Sequence, residues 1–224
     1  MKTVAVLNTK GGVGKSTIST ALAVRASKDF HRVCLVDLDP QQSSARWWSH
    51  RGKRPPPEVM VGETSAADAV DALLQTGWDV AVFDGAPGSL ASTAEAIMAV
   101  DFVVIPFRAS DQDIASTEYT VALCLKQHKP YLLVLNEVHP RGPRRVDKRA
   151  DEAARVLTAA GQPVAKSRLL HRVTYCDAMS VGKTAAELDR GKDKAAAGEI
   201  DDLYREVMGE LSAAKIGEAS RERA

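Results

Sequence analysis

The chain has 224 residues, of which 45% are hydrophobic and 26% are charged, and its formal net charge at pH 7 is +1. This length suffices for one globular core and is short for two ordinary enzyme domains, so we expect one domain over residues 1–224. The near-zero charge excludes a global attraction to nucleic acid or anionic lipid. The first apolar run, Val4-Ala-Val-Leu7, is far shorter than a signal or membrane-spanning segment, which predicts a cytoplasmic protein.

Apolar runs of strand length alternate with longer stretches of helical period along the chain. The strand runs are continuously hydrophobic, which is typical of a parallel sheet covered by helices on both faces. We therefore predict a three-layer α/β fold, with a mostly parallel sheet flanked by helices. The predicted strands are Thr3–Asn8, Val33–Asp37, Val59–Val61, Val80–Asp84, Phe102–Phe107, Tyr131–Asn136 and a weaker Val164–Ser167.

Helix signals fill the gaps between these strands. One stretch of helical period opens at Ser16 and runs to about Lys28, and another follows Asp111. The last predicted helix spans roughly Ala195–Ala214, and residues from about 215 to 224 are expected to form a flexible tail. Because no disulfide or metal-ligand spacing joins them, three cysteines are expected to be buried apolar residues: Cys34, Cys124 and Cys176.

A glycine-rich turn lies between the strand that ends at Asn8 and the helix that follows, which is the context of a phosphate-binding loop. Glycines bend the backbone so that successive N–H groups point at phosphate oxygens, with the positive end of a helix behind them. We expect Lys15 to neutralise the β- and γ-phosphates and the Ser16 hydroxyl to bind Mg²⁺. The nucleotide-binding residues predicted here are Lys10, Gly11, Gly12, Val13, Gly14, Lys15, Ser16 and Thr17.

Carboxylates follow two of the predicted strands. Asp37 and Asp39 end the second strand, and Asp84 ends the fourth. The carboxyl ends of parallel strands meet at one edge of a sheet, where ligands bind. Since Mg²⁺ takes oxygen ligands and keeps several waters, we predict a metal site formed by Ser16, Asp37, Asp39 and Asp84, with Asp84 holding a metal-bound water.

The loop departs from the general Walker A pattern, because Thr9 occupies the first glycine position and an additional lysine, Lys10, follows it. The segment from Lys10 to Thr17 resembles the deviant Walker A motif of the ParA/MinD family of P-loop NTPases. This resemblance implies ATP with Mg²⁺ as cofactors and a weak ATP hydrolase that acts as a switch. It implies that Lys10 reaches the phosphates of the partner subunit in an ATP-bound homodimer. Lys10, Lys15 and Asp39 are then the catalytic residues, with Asp39 orienting the attacking water.

Three further segments extend the resemblance. Asn136 ends the predicted strand Tyr131–Asn136, and its amide can both donate to and accept from an adenine edge, as an asparagine at this place does in ParA/MinD-like proteins. The segments Phe83–Gly88 and Ala195–Ile200 look like those of small plasmid-partition ATPases of the ParF type. The segment Ile105–Asp113 matches the position of the family's dimer-contact loop.

The resemblance also implies partners: non-specific DNA and a centromere-binding adaptor of the ParB type. Non-specific binding to the DNA backbone needs only local positive charge, although basic runs also coat ordinary solvated helices. The predicted DNA-binding residues are Arg141, Arg144, Arg145, Lys148, Arg149, Arg168 and Arg172.

These features predict a nucleoid-associated partition ATPase that segregates a plasmid or chromosome. The alternative is a MinD-like positioning ATPase on the membrane, which needs a basic amphipathic helix at the C-terminus. The segment Glu199–Asp202 is acidic and the tail lacks bulky apolar residues, so we expect no membrane partner. A nucleotide-binding subunit without turnover remains a further alternative.

Overall fold

The computed structural model describes residues 1–52, 54–61, 65–140, 147–188 and 194–221, with side chains to residue 217. Six parallel strands form one sheet in the order β3-β2-β4-β1-β5-β6. The strands are β1 (Lys2–Val6), β2 (Val33–Asp37), β3 (Glu58–Val61), β4 (Val80–Asp84), β5 (Phe102–Phe107) and β6 (Tyr131–Leu135). The helices are α1 (Lys15–Ala26), α2 (Ser43–His50), α3 (Ala66–Gln75), α4 (Leu90–Ala99), α5 (Asp111–Lys126), α6 (Lys148–Ala159), α7 (Val173–Ser180) and α8 (Lys194–Arg221), with a 3₁₀ turn at Ala185–Glu187.

Alternate side chains of each strand enter two separate cores. Val4 and Val6 of β1 pack with α1, α2 and α8 on one face, while Ala5 of the same strand packs with α3, α4 and α5 on the other. Because both faces are covered by helices, the central strands are apolar over most of their length, as β4 is from Val80 to Phe83. The predicted three-layer α/β fold is therefore confirmed.

The register of the central strands determines which side chains meet at the carboxyl edge of the sheet. Asp84, the last residue of β4, is paired with Asp37 of β2 on one side and with Val6 of β1 on the other. The chain leaves β1 through the glycine-rich loop and enters α1 at Lys15. The sheet thus brings two carboxylates to the base of that loop.

One predicted strand differs from the structure. The predicted strand Val164–Ser167 is wrong: Val164 makes only an isolated bridge to Leu133. The N–H groups of Lys166 and Ser167 instead donate to the Glu206 carboxylate of α8, at 2.7 and 2.6 Å.

The last helix and one cysteine also differ from expectation. Helix α8 continues past the predicted end at Ala214 to Arg221. Lys215 holds this part of the helix against the sheet, with its ammonium 2.9 Å from Asp101. Cys34 and Cys124 are buried as expected, but Cys176 is exposed.

The packing of α8 predicts the effect of shortening one of its buried side chains. Leu211 is fully buried against the sheet, so Leu211→Ala should lower the free energy of unfolding by roughly 2–5 kcal/mol, the range for large-to-small core substitutions. Ile216, which is 68% exposed on the same helix, serves as the control, and Ile216→Ala should change it by less than about 0.5 kcal/mol. Urea denaturation measures both. Equal effects would contradict the packing of α8 described above.

Candidate nucleotide-binding site

The loop between β1 and α1 has the backbone conformation of an anion cradle. Gly12 and Gly14 have φ values of 73° and 91°, which side-chain-bearing residues rarely adopt. A Cβ on Gly14 would lie 2.1 Å from Nδ2 of Asn136, so the loop also approaches the end of β6 too closely for any other residue. Helix α1 begins directly after the loop, and its first N–H groups have no acceptor within the helix. They are free to bind phosphate oxygens.

Lys15 lies inside this loop. Its side chain is buried, and its ammonium donates to the carbonyl oxygen of Lys10 at 3.0 Å. Burial lowers the pKa of Lys15, and the charges of Asp84 and Asp39 oppose this shift. The two carboxylates thus favour the charged form of Lys15 inside the loop, where phosphate groups would bind.

Asp84 is the most buried carboxylate of the site, with no exposed surface. Ser44 of α2 donates to one of its oxygens at 2.7 Å, and Ser19 of α1 lies 3.2 Å from the other. Burial raises the pKa of Asp84 to about 6, although the hydroxyls of Ser44 and Ser16 lower it. Asp84 therefore joins α1, α2 and β4 through one carboxylate.

The two remaining acids shape the loop after β2. Asp37 accepts hydrogen bonds from the N–H groups of Asp39 and Ala45, at 3.0 and 2.8 Å, while burial raises its pKa. Asp39 is buried and accepts from the N–H of Gln41 at 2.9 Å. Both carboxylates thus accept backbone hydrogen bonds that stabilise the loop, and Asp37 also stabilises the first turn of α2.

The side-chain oxygens of the site fit a magnesium ion whose other ligands are phosphate oxygens and waters. Within the described residues, no group of three or more His, Cys, Asp or Glu side chains is placed to hold a metal by itself. Mg²⁺ in nucleotide sites is bound through one or two protein oxygens plus phosphates and waters, and does not need such a cage. Ser16, Asp37 and Asp84 offer the hard oxygens for this arrangement.

Asn136 lies on the other side of the loop. Its side chain is buried, and Nδ2 donates to the carbonyl oxygen of Val13 at 2.8 Å. A cleft opens beside it. The cleft is lined by Gly14, Thr17, Asn136, Glu137, Leu169, Leu170, His171, Arg172, Tyr175 and Cys176. The cleft therefore begins at the glycine-rich loop and the start of α1.

Lys10 does not point into its own loop. Its ammonium lies 2.7 Å from the carboxylate of Asp113, whose side chain is 2% exposed. Arg108 and Ser110 also donate to Asp113, at 3.1 and 2.5 Å. Burial alone would raise the pKa of Asp113, but the hydrogen bonds from Lys10, Ser110 and Arg108 hold it below its ordinary value.

Comparison with known proteins identifies the family. The sequence profile of the CobQ/CobB/MinD/ParA nucleotide binding domain matches residues 4–58, which include the loop, α1 and the carboxylates after β2. The maintenance of carboxysome distribution protein A of Halothiobacillus neapolitanus is 31% identical over 92% of this chain and 96% of its own length. The chain belongs to the ParA/MinD family.

Other ParA/MinD proteins agree over nearly the whole chain. The chromosome-partitioning ATPase Soj of Thermus thermophilus is 26% identical, over 84% of this chain and 88% of its own length. A solved ATP complex of a McdA variant from Cyanothece has a TM-score of 0.70 at 18% identity, covering 93% of this chain and 96% of that one. The predicted family, its P-loop fold and the expected nucleotide and magnesium cofactors are thus confirmed.

The DNA-binding residues predicted for this ParA/MinD protein do not form one free basic surface in the described part of the chain. Arg168 pairs with Asp151, and Arg172 donates to Glu199 at 2.6 Å and lines the cleft beside Asn136. Lys148 and Arg149 are exposed at the start of α6. Arg141, Arg144 and Arg145 lie outside the described residues.

Several residues at this ParA/MinD site were not recognised from the sequence. Ser44 and Ser19 touch Asp84 from helices that are distant in sequence, and no local pattern marks them. Asp113 has a local signal, since Ser110 caps α5 by accepting from the N–H of Asp113. That signal indicates a helix start and not a partner for Lys10.

The charge pairing of Asp113 predicts a pH dependence. Its pKa is depressed from 3.8, so the ionised carboxylate stabilises the fold above about pH 4, and this contribution is lost as pH falls through the folded-state pKa. Asp113→Asn should therefore lower the free energy of unfolding by about 1–3 kcal/mol at pH 7, with a smaller difference at pH 3. Urea denaturation at both pH values measures this.

The matched control for this experiment is Asp111→Asn. Asp111 is an exposed acid in the same first turn of α5, so its loss removes a similar charge near the helix N-terminus. If both variants lost the same stability at pH 7, the helix N-terminus alone would explain the effect, and the Lys10–Asp113 contact would have no measurable role.

Proposed function

We propose that this protein is a ParA-type ATPase that dimerises when ATP binds, attaches to DNA without sequence specificity as a dimer, and leaves the DNA after Mg²⁺-dependent hydrolysis. The observation that carries this proposal is the position of the two lysines. Lys15 serves its own loop, whereas the ammonium of Lys10 lies outside it on Asp113. A lysine placed at the mouth of the loop in this way is suited to reach the phosphates of a second subunit.

The chemistry follows from positioning and charge. The N–H groups from Gly11 to Thr17 and the ammonium of Lys15 bind the phosphates, and Ser16 with Asp84 and Asp37 holds Mg²⁺, partly through water. When bound there, Mg²⁺ would supply positive charge that neutralises the charge developing on the phosphates. Asp39 orients the attacking water. Because phosphoryl transfer depends mostly on electrostatic stabilisation, the two lysines contribute more than Asp39 acting as a base.

The adenine base binds in the cleft beside Asn136. The amide of Asn136 offers a donor and an acceptor, and its contact with Val13 fixes its position relative to the loop. The cleft begins at Gly14 and Thr17, at the start of α1, so a base joined to phosphates in the loop lies within reach of it.

The protein would form one domain over residues 1–224. It would move a large cargo along the nucleoid. We propose that the cargo is a plasmid or chromosome, bound through a centromere-binding adaptor of the ParB type that stimulates hydrolysis. Two relatives differ in cargo by name, since one is a chromosome-partitioning ATPase and the other is named for carboxysome distribution. We expect the adaptor to determine which cargo this protein moves.

A MinD-like role at the membrane is the alternative. No helix in the part of the chain that the structure describes is long and apolar enough to cross a bilayer. Membrane attachment would require a basic amphipathic helix near the C-terminus. Six acidic residues of α8 oppose such a helix: Glu199, Asp201, Asp202, Glu206, Glu210 and Glu218. DNA is therefore the favoured platform, and a parallel assay with anionic vesicles distinguishes the two.

The two lysines predict different defects. Lys15→Ala should abolish ATP binding, because it removes the buried charge inside the loop. Lys10→Ala should leave the ATP affinity of the monomer within about threefold and remove the ATP-dependent dimer. Calorimetry measures binding, and sedimentation with ATP or ADP measures assembly. ATP-dependent dimers of Lys10→Ala with unchanged affinity would rule out the cross-subunit role.

A third variant tests turnover. Asp39→Ala should bind ATP and dimerise but hydrolyse ATP at least about tenfold more slowly, because the attacking water is no longer oriented. Its dimers should persist in ATP over the time in which wild-type dimers decay. Wild-type protein that binds ATP and shows no hydrolysis with DNA or adaptor would instead indicate a nucleotide-binding subunit without turnover.

DNA binding has a separate electrostatic test. The affinity of the ATP-bound dimer for arbitrary duplex DNA should fall steeply with salt, and the double variant Arg144→Ala, Arg145→Ala should lower the salt slope by about two per subunit. Arg155→Ala is the control, since Arg155 is exposed on α6 but pairs with Glu152. Fluorescence anisotropy between 50 and 200 mM salt, roughly the range over which such contacts weaken, measures the slopes. Salt-independent binding would contradict a phosphate-contacting surface.

A further inference from the structure

We infer that Glu199, a residue of α8 outside the nucleotide cleft, is a positioning residue that fixes the wall of that cleft and so determines affinity for the nucleoside part of the nucleotide. This inference rests on the proposed ATP-binding function. It concerns the segment 169–175, which is not a strand of the sheet yet contributes half of the residues that line the cleft.

The wall of the cleft follows the sheet edge through its backbone only. In the described part of the chain, the N–H groups of Leu169 and His171 donate to carbonyl oxygens at that edge, at 3.0 and 2.9 Å, and two isolated bridges accompany them. These contacts fix the backbone as far as His171 but do not hold the side chains of Arg172 and Tyr175, which also line the cleft. Helix α8 supplies partners for these side chains.

One carboxylate provides most of these partners. Oε2 of Glu199 accepts from the N–H of Leu170 at 3.0 Å and from the hydroxyl of Tyr175 at 2.8 Å. Oε1 accepts from Nε and from a terminal nitrogen of Arg172, at 2.8 and 2.6 Å. All three of these partners line the cleft beside Asn136. Glu199 itself is 13% exposed at its side chain and does not line it.

The bonding geometry explains why a glutamate is used. Only an ionised carboxylate can accept from a backbone N–H, a hydroxyl and a guanidinium together, and charge-assisted hydrogen bonds are about twice as strong as neutral ones. Burial and the Glu199 carboxylate raise the pKa of Tyr175, which therefore stays protonated as a donor. Losing the carboxylate leaves three cleft-lining residues without their shared acceptor.

A second acid on α8 provides a matched control. Glu206 lies two helical turns further on and holds the same connecting segment, through the N–H groups of Lys166 and Ser167. Neither of these residues lines the cleft. Glu199 and Glu206 thus make the same kind of contact to one segment, but only Glu199 acts at the nucleoside.

The test compares ADP with inorganic pyrophosphate, which shares the phosphates and lacks the nucleoside. Calorimetry with Mg²⁺ on the full chain should show that Glu199→Ala weakens ADP binding about tenfold or more, while pyrophosphate affinity stays within about twofold. Glu199→Gln, which retains one acceptor oxygen, should lose about threefold for ADP only. Glu206→Gln should bind both ligands like the wild type. Thermal melting without ligand checks that each variant is folded.

Three results would overturn the inference. Parallel losses for ADP and pyrophosphate would show that Glu199 supports the fold in general. Unchanged ADP affinity in folded Glu199→Gln and Glu199→Ala would show that the wall needs no such acceptor. Wild-type protein that binds neither ligand would remove the proposed nucleotide site, and this inference with it, whereas the first two results leave that site intact.

Discussion

The carboxyl edge of the sheet depends on one buried charge. Asp84 has no exposed surface, yet it would have to be ionised to serve the proposed metal site, and burial raises its pKa to about 6. At neutral pH the folded protein therefore maintains an unfavourable charge, at a cost of order 1–3 kcal/mol. The hydroxyls of Ser44 and Ser19 reduce this cost, and they also dock α2 and α1 onto β4. The ionised form of Asp84 therefore lowers the stability of the fold, although the proposed metal site requires that form.

Most of the fold and the phosphate loop could be predicted because their signals are local. A buried parallel strand is apolar along its whole length, and the loop combines glycines, Lys15 and Ser16 within a few residues. Adjacent strand ends then bring Asp37 and Asp84 together without further information. The prediction was wrong for Val164–Ser167, where a short apolar run resembles a strand but makes only one isolated bridge to β6, and Lys166 and Ser167 donate to Glu206 of α8 instead.

The contacts that position the site could not be predicted, because they join residues far apart in sequence. Lys10 and Asp113, or Asp84 and Ser44, meet only after the sheet has formed. Glu199 looks like an ordinary solvated acid of a helix, and only the structure brings it to Leu170 and Arg172. The basic residues were harder still to interpret, since a sequence does not reveal that Arg168 and Arg172 have acidic partners.

The close approach of Gly14 to Asn136 has an evolutionary consequence. In the sequence, Gly14 belongs to the predicted phosphate loop, and Asn136 belongs to a different segment that is predicted to contact the base. In the folded chain they share one volume, since a Cβ on residue 14 would lie 2.1 Å from the amide of residue 136. A lineage that exchanged Asn136 for a smaller residue would remove this overlap, but the left-handed backbone at Gly14 would still resist replacement. Residue 136 can therefore be substituted while Gly14 is retained. A substitution of Gly14 would need both a smaller residue at position 136 and a different backbone conformation of the loop.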